Sequence, residues 1–217
     1  MTDAPMNRAS VGARLNALLA GAGLEPVDEA TAARFADYLA LLLKWNSKIN
    51  LTAVRDADGI LSRHFVESIA CTRALPAGIE TLLDFGSGAG FPGIPIALCR
   101  PEMTVTLAEA QGKKAAFLLE AVRVLGIGAR VHAGRAEELT GRFDCVAMRA
   151  VDRMAEGVKS AGVLLRKGGW LAVMTTGRET GRVRAAAGTG FRWVDAVTLP
   201  SGTDRVVMMG QLVEADS

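Results

Sequence analysis

The chain has 217 residues, half of them apolar and 22% charged, enough to bury a sizeable core, with no stretch that reads as disordered. A formal net charge of +2 singles out no class of partner, and no apolar run approaches the ~20 residues needed to cross a bilayer. Cys71, Cys99 and Cys145 lie far apart in apolar runs without a Cys-x-x-Cys, which excludes a zinc or disulfide framework and predicts reduced core thiols.

Residues 1–75 read as helical. Leu15, Leu18 and Leu19 recur at helical spacing, and Phe35, Leu39, Leu42 and Leu43 form a second apolar stripe that ends in Lys44 and Lys48. A third helix carries Ile60, Leu61, Phe65 and Ile69 after the Arg55–Asp58 turn; Pro76 and Gly78 close the section. Residues 1–23 lack an apolar block after a basic start, so a cytoplasmic chain without a secretory signal or membrane segment is expected.

From residue 80 short apolar runs alternate with helical ones. Strands are predicted at 81–85, 104–108, 129–133, 143–148, 170–175, 193–199 and 205–212, and helices at 93–99, 113–125, 154–164 and 178–187. This order predicts an α/β Rossmann-like fold with helices on both faces of a seven-stranded, mostly parallel sheet. The last two strands lack a helix between them, and the Pro200-Ser201-Gly202 turn predicts an antiparallel C-terminal hairpin. The predicted division is an N-terminal helical extension, 1–78, and a Rossmann-like domain, 79–217. Residues 148–192 hold nine basic and three acidic side chains, a surface suited to an anion or to nothing at all.

Leu82-Leu83-Asp84-Phe85-Gly86-Ser87-Gly88-Ala89-Gly90 is a strand running into a glycine turn, with Pro92 suited to the first turn of a helix. A ligand belongs outside the carboxyl end of that strand. Gly88 to Gly93 match the dinucleotide pattern G-x-G-x-x-G, a weak signal on its own. Asp84 argues against a pyrophosphate and for S-adenosylmethionine, whose ammonium and sulfonium favour a nearby carboxylate. Glu109 ends the next strand, where a carboxylate takes both hydroxyls of an adenosine ribose; Ala110 and Gln111 continue that turn. Ala136 and Glu137 follow the third strand, either at an adenine edge or as an ordinary helix start. Asn46 and Asn50 share one helical face, to fix the following turn or to reach the substrate. His64 is a packing residue or a substrate-site residue, and Trp45 is read as helix core. Arg149 leaves the fourth strand facing the ligand. Lys113 and Lys114 oppose the helix dipole, which points to an anion contact.

Three groups of residues resemble a known family: Trp45-Asn46-x-x-Ile49-Asn50-Leu51-Thr52-Ala53, then Arg63-His64-Phe65-x-Glu67-Ser68, then Asp84 through Pro95. With Gly112-Lys113-Lys114, Gly134 to Glu137, Arg149-Ala150-Val151 and Lys167-Gly168-Gly169, they are similar to the bacterial 16S rRNA guanine-N7 methyltransferases, also called glucose-inhibited division protein B. The resemblance runs from about Phe35 to Thr175. It implies a class I methyltransferase fold and methylation at N7 of one guanosine in a stem-loop of small-subunit rRNA, with 16S rRNA or the small ribosomal particle as partner. It implies contacts to S-adenosylmethionine at Gly86, Phe91, Ala136, Glu137 and Arg149, with residues 109–111 at the ribose. Two departures stand out: Glu67 where the family usually has Asp, and Thr175-Thr176-Gly177 where it usually has Lys before Gly, so that Arg178 becomes the nearest cation.

The lone pair on guanine N7 carries no proton, so methyl transfer there needs no general base. The expected catalysis is positioning, with no proton-transfer residue and no metal. The same sheet also suits a small-molecule methyltransferase, a non-catalytic RNA-binding module or an NAD oxidoreductase, the last disfavoured by Asp84. A monomer is expected.

Overall fold

A computed structural model describes residues 7–149, 154–200 and 204–213. The N-terminal third is helical. Helix α1 spans Arg8–Gly21, and the Asn7 side chain caps it by accepting from Ser10 N. Helix α2 spans Glu29–Asn46 behind the Asp28 cap. Helix α3 (Ala57–Ile60) runs through a π-helical segment, Leu61–Val66, into α4 (Glu67–Ala74). The π-helical segment holds Arg63 and His64.

The remaining elements follow the predicted alternation: β1 (Thr81–Phe85), α5 (Gly93–Cys99), β2 (Thr104–Ala108), α6 (Gly112–Leu125), β3 (Arg130–His132), β4 (Phe143–Arg149), α7 (Met154–Val163), β5 (Leu165–Thr176), α8 (Thr180–Ala187), β6 (Phe191–Trp193), β7 (Val197–Thr198) and β8 (Arg205–Leu212). The sheet order is β3-β2-β1-β4-β5-β8-β6. The first five strands in that order run parallel, β8 is antiparallel to β5, and β6 and β7 both pair antiparallel with β8.

Two strand predictions need correction. The strand expected at 193–199 is split, because Trp193 pairs with Gly210 and Val197 with Val207. Between those pairs three edge residues, 194–196, therefore stand opposite two on β8, 208 and 209, and the extra residue makes a bulge on an edge strand. Strand β5 begins at Leu165, not Trp170, and runs through an irregular register opposite Phe143–Cys145. Ser201, Gly202 and the motif residues Ala150 and Val151 lie outside the described residues.

Side chains alternate across the sheet with the period of a strand. Leu82, Val105, Leu107, Cys145 and Ala147 face one apolar cluster together with Leu15, Phe35, Tyr38, Phe65 and Phe117. Leu83, Val146, Met148 and Val173 face the other, against Val158, Ala161 and Val183. The N-terminal helices thus share one core with a face of the sheet. That packing brings Arg63 and His64 of the π-helical segment, and the turn after α2, to the carboxyl ends of β1 and β4.

Candidate active site

The loop after β1 is built from its own backbone. Gly90 N–H donates to Ser87 O at 2.7 Å, and Ser87 N–H reaches across to Ala108 O at 2.9 Å. Gly90 sits at φ +90°, and a Cβ there would lie 2.4 Å from the Ile94 side chain and 2.8 Å from the Tyr38 hydroxyl. Only glycine fits that position. Glu109 stitches the loop to the end of β2: one carboxylate oxygen accepts from Gly88 N–H at 2.8 Å and the other from Gln111 N–H at 2.7 Å. Its remaining lone pairs are left for ligand hydroxyls.

Asp84 lies beneath this loop. It is fully buried, and its Oδ2 accepts the Gly93 N–H at 3.0 Å, tying β1 to the start of α5. Burial pushes its pKa up to about 7, against the opposing hydrogen bonds from Gly93 and Ser87. Its Oδ1 has no hydrogen-bond partner. Tyr38, from α2, braces the loop from the other side: its hydroxyl donates to Ala89 O at 2.5 Å, while its ring stacks on Phe65 at 5.1 Å. The sequence reading missed this residue. The signal was a tyrosine, the only one in the chain, placed within an apolar helical stripe; a buried phenol needs an acceptor.

Beside the loop lies a cavity of about 500 Å³. The glycine loop contributes Gly86, Ser87, Gly88 and Phe91; the end of β2 contributes Glu109, Ala110 and Gln111; the turn after β3 contributes Ala136 and Glu137. All nine were read from the sequence as donor contacts. His64 and Arg149 line the same cavity, as do Leu51, Thr52, Lys114 and Glu156, of which Lys114 had been singled out only for an anion. Four anticipated residues do not line it. Asp84 and Gly90 act from beneath the loop. Asn46 accepts from Leu51 N–H at 2.9 Å and Thr52 N–H at 3.0 Å, so it fixes the turn after α2. Asn50 accepts from Arg55 Nη2 at 2.7 Å on the surface. The spacing of the two asparagines suited turn and substrate equally; the structure supports the turn. Trp45 packs edge-on against Phe117 and donates to Glu120 Oε2 at 2.7 Å, a helix-packing role.

A polar cluster closes the cavity on the side of β4. Arg149 Nη2 donates to Glu67 Oε2 at 2.8 Å, to His64 Nδ1 at 3.0 Å and to Arg63 O at 3.2 Å. Arg205 on β8 reaches the other Glu67 oxygen at 2.9 Å. Glu67 is fully buried, and two cations compensate its charge. Burial lowers the Arg149 pKa to about 10, with Glu67 opposing, so the guanidinium stays charged at neutral pH. Burial, together with Arg149 and Arg63, lowers the His64 pKa to about 3, so its ring is neutral. The His64 and Arg149 side chains both lie against Phe91, at 4.8 Å between rings and 5.8 Å from guanidinium to ring centre. Arg149 Nη1 is buried without a partner. Arg178, the expected substitute cation after β5, is highly exposed and paired with Asp204 at 3.2 Å.

The cavity sits outside the carboxyl ends of β1, β2 and β4, where an open α/β sheet holds its ligand. Its chemistry fits S-adenosylmethionine: a carboxylate with free lone pairs for the ribose, a glycine loop close to the ligand, and a buried guanidinium nitrogen in need of an acceptor. Fold and site together define a class I S-adenosylmethionine-dependent methyltransferase. Solved structures share the fold. A methyltransferase from Pyrococcus furiosus superposes with a TM-score of 0.62 at 15% identity, over 84% of this chain and 98% of that one. A Thermus thermophilus 16S rRNA N2 G1207 methyltransferase in complex with AdoMet and guanosine superposes at 0.54 and 16% identity, over 71% and 40%.

Sequence comparison is more specific. Residues 31–187 match the family described as GidB, rRNA small subunit methyltransferase G. A ribosomal RNA small subunit methyltransferase G from Stenotrophomonas maltophilia K279a is 46% identical over 177 residues, 80% of this chain and 81% of that protein. One from Xanthomonas euvesicatoria is 44% identical over 173 residues, 78% and 81%. The chain belongs to the rRNA small subunit methyltransferase G family, as its Asn/Trp and Arg-His motifs implied.

Proposed function

We propose that this protein methylates N7 of a guanosine in a stem-loop of the 16S rRNA of the small ribosomal subunit, acting on the rRNA or on the particle. Family membership supports the rRNA substrate. The observation that carries the N7 chemistry is the state of His64. Both of its ring nitrogens are occupied, Nδ1 by Arg149 at 3.0 Å and Nε2 by Thr52 at 2.7 Å. The imidazole in the cavity has no lone pair free to take a proton, and guanine N7 has none to give.

When bound, S-adenosylmethionine supplies an electrophilic methyl on a sulfonium sulfur. Glu109 would take the ribose hydroxyls, and Ala136 and Glu137 would hold the adenine edge. The glycine loop would hold the methionyl chain, and the unpartnered Arg149 Nη1 would receive its carboxylate. Phe91 packs beside Arg149 in the wall of the site. These groups align the methyl with an incoming lone pair, which is the main catalytic task for a nucleophile that needs no base. Transfer would form the N7–carbon bond as the carbon–sulfur bond breaks, with its electrons going to sulfur and positive charge moving to the purine. Residues 1–78 are read as a helical extension that supplies Thr52 and His64 to a domain spanning 79–217. No described helix is long and apolar enough to cross a membrane, and a cytoplasmic, monomeric enzyme suits a ribosomal substrate.

The test is incubation with radiolabelled donor and small-subunit particles or rRNA from a strain that lacks the gene, followed by nucleoside analysis. Label is expected in N7-methylguanosine. Label in N1-methylguanosine or in protein, with none in N7-methylguanosine, overturns the proposal.

A further inference from the structure

The hydrogen bonds around His64 have only one consistent direction. Arginine carries donors and no acceptor, so the Arg149 Nη2 contact makes His64 Nδ1 an acceptor. The neutral ring then bears its proton on Nε2, which donates to Thr52 Oγ1 at 2.7 Å. Val54 N–H donates to the same oxygen at 3.2 Å. Both lone pairs of the Thr52 hydroxyl are therefore filled, and its own proton has no acceptor among the described residues. Thr52 lines the cavity together with Leu51, His64 and Phe91. Asn46 holds its backbone in place by accepting the Thr52 N–H at 3.0 Å. The result is an oriented, neutral hydrogen-bond donor facing the reactants, set by a chain that begins at a buried ion pair.

Resting on the guanine-N7 reading above, we propose that the Thr52 hydroxyl donates to O6 of the target guanine and selects guanine over adenine. O6 flanks N7 on the same edge of the base, so a donor to O6 recognises the edge that carries N7. Adenine presents an amino group at that position, a donor facing a donor. The α-carboxylate of the methyl donor is a competing acceptor, but a full negative charge belongs with the unpartnered Arg149 Nη1. A neutral hydroxyl suits a neutral carbonyl.

The proposal has a kinetic signature. Alkylation at N7 withdraws electrons from O6, so this hydrogen bond is at least as strong in the ground state as in the transition state. Removing it raises KM and leaves kcat unchanged or slightly higher. Thr52→Val is expected to raise KM for unmethylated small-subunit particles by about fivefold, the effect of one neutral hydrogen bond. S-adenosylmethionine affinity by calorimetry should stay at the wild-type value, which also reports that the variant is folded. Thr52→Ser keeps the same hydroxyl and should restore KM. A KM within twofold of wild type for Thr52→Val overturns the proposal. So does a loss that appears in donor affinity or in kcat, which would make Thr52 a donor contact or a support for His64. If the wild-type enzyme itself places no label in N7-methylguanosine, the guanine-N7 reading has failed, independently of Thr52.

Discussion

The Arg149 guanidinium meets the Glu67 carboxylate at 2.8 Å, with both side chains withdrawn from solvent. The pair joins the end of β4 to the start of α4, and Arg205 on β8 completes it from the opposite side at 2.9 Å. One carboxylate thus holds together the helical N-terminus, the centre of the sheet and its C-terminal hairpin. The glutamate side chain has the reach to meet both arginines.

Glu67→Gln leaves two arginines without their counter-charge. The expected cost is about 3–5 kcal/mol, as for other broken buried pairs. For a domain of this size that corresponds to a drop in melting temperature of roughly 6–20 °C. Thermal denaturation followed by circular dichroism measures it, and a melting temperature within two degrees or so of wild type would contradict the structural role.

Tyr38→Phe keeps the ring stack on Phe65 and deletes the hydroxyl that holds Ala89 O. Stability should fall by about 1 kcal/mol. The glycine loop loses its brace, so donor affinity should fall severalfold while the fold persists. Calorimetry with S-adenosylmethionine reads this directly; unchanged affinity would detach Tyr38 from the site.

Asp84 gives donor binding a pH dependence. Its folded pKa is raised to about 7, so the carboxyl is neutral below that value and charged above it. A cationic donor favours the charged form, and affinity should rise with pH between 6 and 8, at most about tenfold per unit on the acid side. Asp84→Asn should flatten this profile at the weaker, low-pH affinity. For folding the sign is reversed: a raised carboxyl pKa stabilises at low pH, and that contribution is lost as pH rises from the unfolded value of 3.8 through about 7.

His64 acts in the opposite sense. Its folded pKa is lowered from 6.5 to about 3, so the unfolded chain binds the proton first as pH falls. Stability is full above pH 6.5 and is lost progressively towards pH 3. His64→Gln removes this titration and keeps an acceptor for Arg149. Between pH 6.5 and 5 the wild type should lose roughly 1–2 kcal/mol relative to the variant in urea denaturation. The comparison cancels the Asp84 contribution, which both proteins share. Equal losses in the two proteins would show that His64 is already charged in the fold. The rate of methyl transfer in the wild type should carry no His64 inflection between pH 5 and 8.

Much of the donor half of the site is legible in the sequence because it is local. Strand, glycine turn and helix follow one another from Thr81 to Cys99, and Glu109 sits at the end of the next strand by the period of the βαβ unit. Backbone geometry over such short spans leaves little freedom, so residue types at fixed offsets suffice. The acceptor half is different. Asn46 and Asn50 have spacing that suits two roles, and only the fold of the turn separates them. Asp84 is legible as a carboxylate aimed at the loop, but only the fold shows that it lies beneath it and ties β1 to Gly93.

The sequence by itself determined the alternation of strands and helices, the glycine loop with the acid at the end of the next strand, and the family. The tertiary structure decided which distant side chains meet: Tyr38 with Ala89, Arg149 with His64 and Glu67, Arg205 with Glu67. These partners are separated by more than 50 residues, and their contacts depend on how the N-terminal helices pack on the sheet. Periodicity shows which face of an element is apolar; it does not show which buried polar groups that face will find opposite it.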